Sequence, residues 1–241
     1  MLRSISVAAG VAALLLAAAP AQAVSITYDH SHDGSGVPTS AFPGAIVNDF
    51  NSGDFTTWQN GANPVSGTIA SGGGFQFVTG DLSGRYAAPF ISDGPAAGTD
   101  NPTVYLSVPG TSRSGAVTLQ LDQTFNYFGL FWGSIDSYNS ISFLLNGVTV
   151  DSFSGSDVIN PNIANGNQTA PGTNTYVNFF GLATFDAVRL ASTGYAFELD
   201  NIALAYIGPL TSTEVPAPAA LGLFGLGLAG LCLTARRRRT T

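Results

Sequence analysis

The chain has 241 residues, with eight arginines, no lysine, 15 acidic residues, one cysteine and a formal net charge of −7. Arg3 and the arginines at 236–239 lie near the two ends, so the region between sets only Arg85, Arg113 and Arg189 against all 15 carboxyl groups, a formal −12 (3 against 15). Such a body excludes nucleic acid, whose phosphates need cations, and its lack of cysteine excludes disulfide and thiol chemistry there. Cys232 sits in the apolar tail. The acidity suits solubility, divalent cations or contact with neutral polysaccharide.

Residues 1–23 carry Arg3, an apolar stretch over 5–19 and the small-x-small triplet Ala21-Gln22-Ala23. This pattern predicts a secretory signal peptide, passed by the Sec translocon and cut by signal peptidase at Ala21 and Ala23. The mature chain then starts at Val24.

Residues 24–209 read as a single all-β domain, a β-sandwich of jelly-roll type. Short runs rich in Val, Ile, Thr, Phe and Tyr alternate with Gly, Asn, Ser, Asp and Pro. The predicted strands are 24–28, 45–50, 74–79, 104–108, 116–121, 125–132, 140–145, 148–153, 176–180, 185–190 and 195–205, and 80–102 and 154–175 read as long loops. The run 125–132 is apolar at nearly every position, as in a central strand buried on both faces. Ile141, Phe143 and Leu145 alternate before Asn146-Gly147, which supplies both positive-φ positions of a type I′ hairpin turn. Phe128, Phe131 and Phe143 are predicted to be core.

Residues 210–241 form a tripartite tail: Val215-Pro216-Ala217-Pro218, an uncharged apolar run over 217–235, then Arg236, Arg237, Arg238 and Arg239. At about 1.5 Å per residue that run makes a transmembrane helix of roughly 28 Å, close to the ~30 Å bilayer core. The arginines hold its end on the cytoplasmic side of the inner membrane and leave the body outside.

The tail resembles the PEP-CTERM sorting signal of Gram-negative bacteria, with Ala217 in place of the family's glutamate. That resemblance implies processing by an exosortase, a membrane cysteine protease, and transfer to the cell surface, outer membrane or extracellular matrix. A permanently retained anchor is the other reading of the same residues. In the body, the segments 127–139 and 195–202 look like those of a group of exosortase-dependent surface proteins. Asn48-Asp49-Phe50 together with Leu199-Asp200-Asn201-Ile202 is similar to carbohydrate-binding jelly rolls of the galactose-binding type.

Catalytic constellations are mostly missing. The only histidines, His30 and His32, lie near the mature N-terminus without a nucleophile elbow. In an extended strand both would share one face beside Asp29 and Asp33, a candidate Zn²⁺ or Cu²⁺ site; a solvated terminal segment is the alternative. Glu198-Leu199-Asp200 resembles the Glu-x-Asp strand of jelly-roll glucanases but lacks their third acid. Asp49 with Asn51, and Glu198 with Asp200, could converge on structural Ca²⁺ if the first and last strands are neighbours; otherwise these residues end strands and make turns. Trp58 and Tyr138, beside polar turns, are candidate sugar-stacking rings.

These residues support a non-enzymatic exported protein associated with exopolysaccharide, with a secreted carbohydrate-binding or glycoside hydrolase-like protein as the alternative. No catalytic residue is assigned. Exosortase processing predicts that the intact mass of the protein recovered from cells and medium lacks residues 236–239. Mature protein that uniformly retains those four arginines would refute the processing.

Overall fold

Sixteen strands and one helical turn form in the computed structural model, which describes residues 23–159, 163–170 and 172–208. The predicted cleavage residue Ala21 and the entire sorting tail, with Val215, Pro216, Ala217, Pro218, the 217–235 span and Arg236, Arg237, Arg238 and Arg239, lie outside the described residues. Ala23 is exposed. No helix among the described residues is long and apolar enough to cross a membrane.

The strands are β1 (Ser25–Thr27), β2 (His30–His32), β3 (Pro38–Ser40), β4 (Ile46–Asn48), β5 (Val65–Gly72), β6 (Gln76–Val78), β7 (Phe90–Ile91), β8 (Thr99–Asp100), β9 (Tyr105–Val108) and β10 (Gly115–Phe125). After these come β11 (Tyr127–Gly133), β12 (Asn139–Leu145), β13 (Val148–Ser154), α1 (Gly155–Val158), β14 (Thr175–Phe180), β15 (Phe185–Ser192) and β16 (Phe197–Ala205). The larger sheet runs β1-β14-β11-β16-β9-β6, with β4 also paired to β16, and the smaller runs β13-β12-β15-β10-β5. One core cluster draws Phe128, Leu130, Trp132, Phe179 and Phe197 from the larger sheet and Val117, Leu119, Ile141, Phe143 and Leu190 from the smaller. That sharing of alternate residues is the arrangement of a β-sandwich.

Every predicted strand is present, and the ones sequence reasoning missed have identifiable reasons. Strand β5 is exposed at seven of its eight positions, so it carries no apolar alternation; backbone pairing to β10 holds it. Strands β2, β3, β7 and β8 are two or three residues long. They form two small hairpins, β2-β3 and β7-β8, and the second lies in a stretch expected to be loop.

Strand β11 lies between β14 and β16, and all seven of its residues are buried. The inner face of the larger sheet meets the sandwich core, while Phe131 and Tyr176 on the outer face pack with Val37 and Ile91 from the covering segments. Gly129 is required there: a Cβ would fall 2.7 Å from the hydroxyl oxygens of Tyr127 and Tyr176.

The β12-β13 hairpin turns at Asn146 (φ 52°) and Gly147 (φ 78°), as the dipeptide predicts. Its register shifts between Phe143 and Leu144, where one step along β12 spans two along β13, from Asp151 to Thr149. Ile141 and Phe143 are fully buried, whereas Leu145, the last residue of β12 and next to the turn, is only half-buried, against the expectation that all three share the core face. Phe143 packs against Phe128, Phe153, Phe179 and Phe185, with ring centroids 4.8 to 6.3 Å away. Phe143→Ala is expected to lower unfolding free energy by about 3–5 kcal/mol in urea titrations, and Leu145→Ala by less than half as much. Equal losses would show that the hairpin face is assigned wrongly.

Candidate functional site

Strand β16 organises the polar side of the larger sheet. Phe197 and Leu199 point into the core, which sends Glu198 and Asp200 to the outer face. A bulge follows: two steps along β11, Gly129 to Phe131, span three along β16, Ala203 to Asp200. Asn201 takes φ 47° at this bulge, and beyond it Ile202 and Leu204 return to the core.

Both outward carboxyl groups are buried, Glu198 being 4 % and Asp200 1 % exposed. Asp200 accepts from Asn101 Nδ2 at 2.7 Å, Thr103 Oγ1 at 3.2 Å and the Asn201 N–H at 2.7 Å. Burial nonetheless raises its pKa well above the ordinary carboxyl range. Glu198 Oε1 accepts the Ala87 N–H at 3.0 Å. Burial pushes this carboxyl up to about 8, against that N–H, which favours the anion.

Glu198 forms the floor of a polar cleft of about 140 Å³. Tyr86, Tyr138 and Tyr195, each half-buried, line it together with Arg85, Asp136 and Gln168. The Arg85 guanidinium lies 5.3 Å from the centre of the Tyr195 ring. Asp136 Oδ1 accepts the Gly166 N–H at 2.9 Å. The Tyr138 hydroxyl sits 2.6 Å from Asp136 Oδ2 and 2.8 Å from the Tyr195 carbonyl oxygen. One hydroxyl proton cannot serve two acceptors, so a protonated Asp136 donating to Tyr138 satisfies the whole chain of bonds. Burial, which raises the Asp136 pKa, acts in that direction.

The predicted site residues are thus only partly brought together. Tyr138 lines the cleft beside Glu198. Trp58 lies elsewhere, half-buried against the core, with Nε1 donating to the Phe55 carbonyl at 2.8 Å. Strand β4 does pair with β16, through Asn48 opposite Ile202, so an early strand and the last one are neighbours. The four predicted Ca²⁺ ligands still do not assemble. Phe50 takes φ 52° and turns the chain, Asn51 is exposed, and the Asp49 carboxylate accepts from Asn51 N–H at 3.1 Å and Gln59 Nε2 at 2.6 Å. Asp49, Glu198 and Asp200 form no ligand cluster among the described residues. Sequence reasoning missed Asp136, Tyr86, Tyr195 and Arg85 as companions of Glu198, because they come from three separated stretches with no shared spacing.

A carboxyl with a raised folded-state pKa contributes its full stability below its ordinary value of 4.5 and loses it as pH rises through about 8. Thermal melts should therefore show the natural protein losing stability relative to Glu198→Gln between pH 5 and 8, by up to a few kcal/mol. Parallel curves would mean that Glu198 is solvated and ionised at neutral pH.

A search among curated proteins found no match to the chain. A family model, the PEP-CTERM protein-sorting motif, matches residues 214–239, the segment that holds the Val-Pro-Ala-Pro tetrad, the apolar run and the arginines. The chain carries a PEP-CTERM sorting signal, the mark of an exported surface protein processed by an exosortase.

Proposed function

We propose that this protein is a non-enzymatic component of the cell surface or extracellular matrix that holds neutral polysaccharide at the cleft lined by Tyr86, Tyr138 and Tyr195. In this reading the chain passes through the Sec translocon, loses its signal peptide and stays in the inner membrane by residues 217–235 until an exosortase cuts the tail. The sandwich then reaches the surface and meets exopolysaccharide.

The observation that carries the reading is how the cleft's polar groups are used. Tyrosine rings with polar edges suit sugars, which offer an apolar ring face bordered by hydroxyls. The two carboxyl groups beside them are held by the protein itself: Asp136 by Gly166 and Tyr138, Glu198 by Ala87. Hydrolysis needs one carboxyl as acid and a second as base or nucleophile, both reaching the glycosidic bond. Groups engaged in this way favour binding over bond cleavage. The −12 charge of the body further favours neutral chains over acidic ones.

A glycoside hydrolase remains the second reading, because Glu198, protonated near neutrality and beside Asp136, has the character of a general acid. Affinity electrophoresis in gels containing the host's own polysaccharide tests the first reading. Retardation of the purified protein should fall at least tenfold in apparent affinity for Tyr138→Ala, measured well below that variant's own thermal midpoint. Reducing-sugar release that disappears in Glu198→Gln would overturn the non-enzymatic assignment.

A further inference from the structure

The segment between β1 and β4 holds part of a second cluster, separate from the tyrosine cleft. His30 and His32 stand two residues apart on β2, so their side chains share a face. Strand β2 pairs with β3, His30 opposite Ser40 and His32 opposite Pro38, and this fixes their spacing. The partner they meet is neither Asp29 nor Asp33. Asp33 accepts the N–H groups of Ser35 and Val37, at 2.8 and 3.0 Å, and also Asn201 Nδ2 at 3.1 Å. Asp93 comes instead, from the turn after β7, placing Oδ1 3.1 Å from His30 Nε2 and 3.3 Å from His32 Nε2.

We propose that His30, His32 and Asp93 form a binding site for a divalent transition-metal ion of the Zn²⁺ or Cu²⁺ kind. Three geometric facts carry this. His30 Nδ1 lies 3.0 Å from the Tyr28 carbonyl oxygen, which can only accept, so Nδ1 donates there and Nε2 is the ring nitrogen turned toward Asp93. This is the arrangement of a metal-ligating histidine, whose other nitrogen donates to a carbonyl. Metal bonds of about 2.0–2.1 Å put tetrahedral ligand atoms roughly 3.3 Å apart, close to the observed His–Asp separations. All three ligand atoms lie within 4.8 Å of one another.

The surroundings suit an ion as well. The His30 and His32 side chains are 14 % and 21 % exposed and Asp93 is 57 % exposed, so the rings are held in place while the carboxylate side stays open to water as a further ligand. Gly94, at φ 75°, lets the turn close onto His32; a Cβ there would collide with the imidazole. Two nitrogen lone pairs and a carboxylate oxygen brought this close repel one another unless a cation or a proton lies between them. An N₂O donor set is that of borderline metals and a poor one for Ca²⁺, which takes six to eight oxygens. Bound there, the ion ties the β2-β3 hairpin to the β7-β8 hairpin on the outer face of the larger sheet.

Isothermal titration of the chelator-treated full chain in detergent with ZnCl₂ at pH 7 tests the site. One equivalent should bind, with at least tenfold weaker binding in Asp93→Asn and none at this site in the His30→Ala/His32→Ala double variant. Asp93 is exposed, so Asp93→Asn leaves folding intact and remains informative where the double variant fails to fold. Co²⁺ added to the natural protein should give visible d–d absorption of four-coordinate strength. Absence of saturable Zn²⁺ binding, or affinity within twofold of the natural protein in Asp93→Asn, would overturn the proposal and leave a proton-mediated ion pair in its place.

Discussion

The structure depends on covering both faces of the larger sheet. Strands β11 and β16 are buried at every residue, so one face meets the smaller sheet and the other must be roofed by loops. A roof of irregular backbone carries N–H and C=O groups that burial would leave unpaired, at a cost of about 1–3 kcal/mol each. The outer face of the sheet therefore presents polar side chains that bind the roof. Asn178 donates to the carbonyls of Asp29 and Thr27, Asn174 Oδ1 accepts from Phe90 and Ser134, and Asn201 donates to Pro38 and Asp33. Among the described residues, the Ser107 hydroxyl and Trp132 Nε1 are the buried side-chain atoms without a partner. Trp132 offsets part of that cost by stacking on Phe197 at 4.6 Å.

The same constraint makes the chemistry of the cleft. A strand that must be apolar on one face and hydrogen-bonded on the other carries Glu198 and Asp200 beneath the roof, where ionisation is costly. Their raised pKa values follow from position. The bulge at Asp200–Asn201 then shifts the alternation by one residue, returning Ile202 and Leu204 to the core while Asn201 is aimed at the N-terminal segment. A single irregularity thus joins the last strand to the first hairpins. The His30–His32–Asp93 cluster stands on that hairpin, so its geometry inherits the rigidity of the sheet beneath.

The sorting signal and the cleft lie on different parts of the chain. The sorting motif is a linear signal over 214–239, defined by its order of tetrad, apolar run and arginines. The body contributes an acidic composition, a tyrosine-lined cleft and buried carboxyl groups whose pKa values burial raises. A disulfide-free body suits this division, because its stability comes from burial and hydrogen bonding independently of the redox state of its surroundings.

Local information determined a good deal about this protein. Period-two alternation, apolar runs and turn dipeptides located eleven strands, the central position of β11 and the Asn146-Gly147 turn, because each depends on neighbouring residues alone. The tail was legible for the same reason, being a linear pattern. Strand β5 was not, since its polar side chains carry no alternation and only pairing with β10 makes it a strand. Nor was the half-burial of Leu145, since its alternation matches that of Ile141 and Phe143 and only its place at the end of β12 leaves it partly uncovered. Most of the site chemistry was likewise tertiary: Asp93 lies more than 60 residues from the histidines it meets, and Asp136 and Tyr86 reach Glu198 only when loops fold over β16. Strand-face alternation linked Asp49 to Glu198 and Asp200, but the Asp49 carboxylate is taken up by Asn51 and Gln59 of its own loop. Local physics sets which residues extend and which turn; which side chains meet is decided by strand order and register, where each pairing depends on all the others.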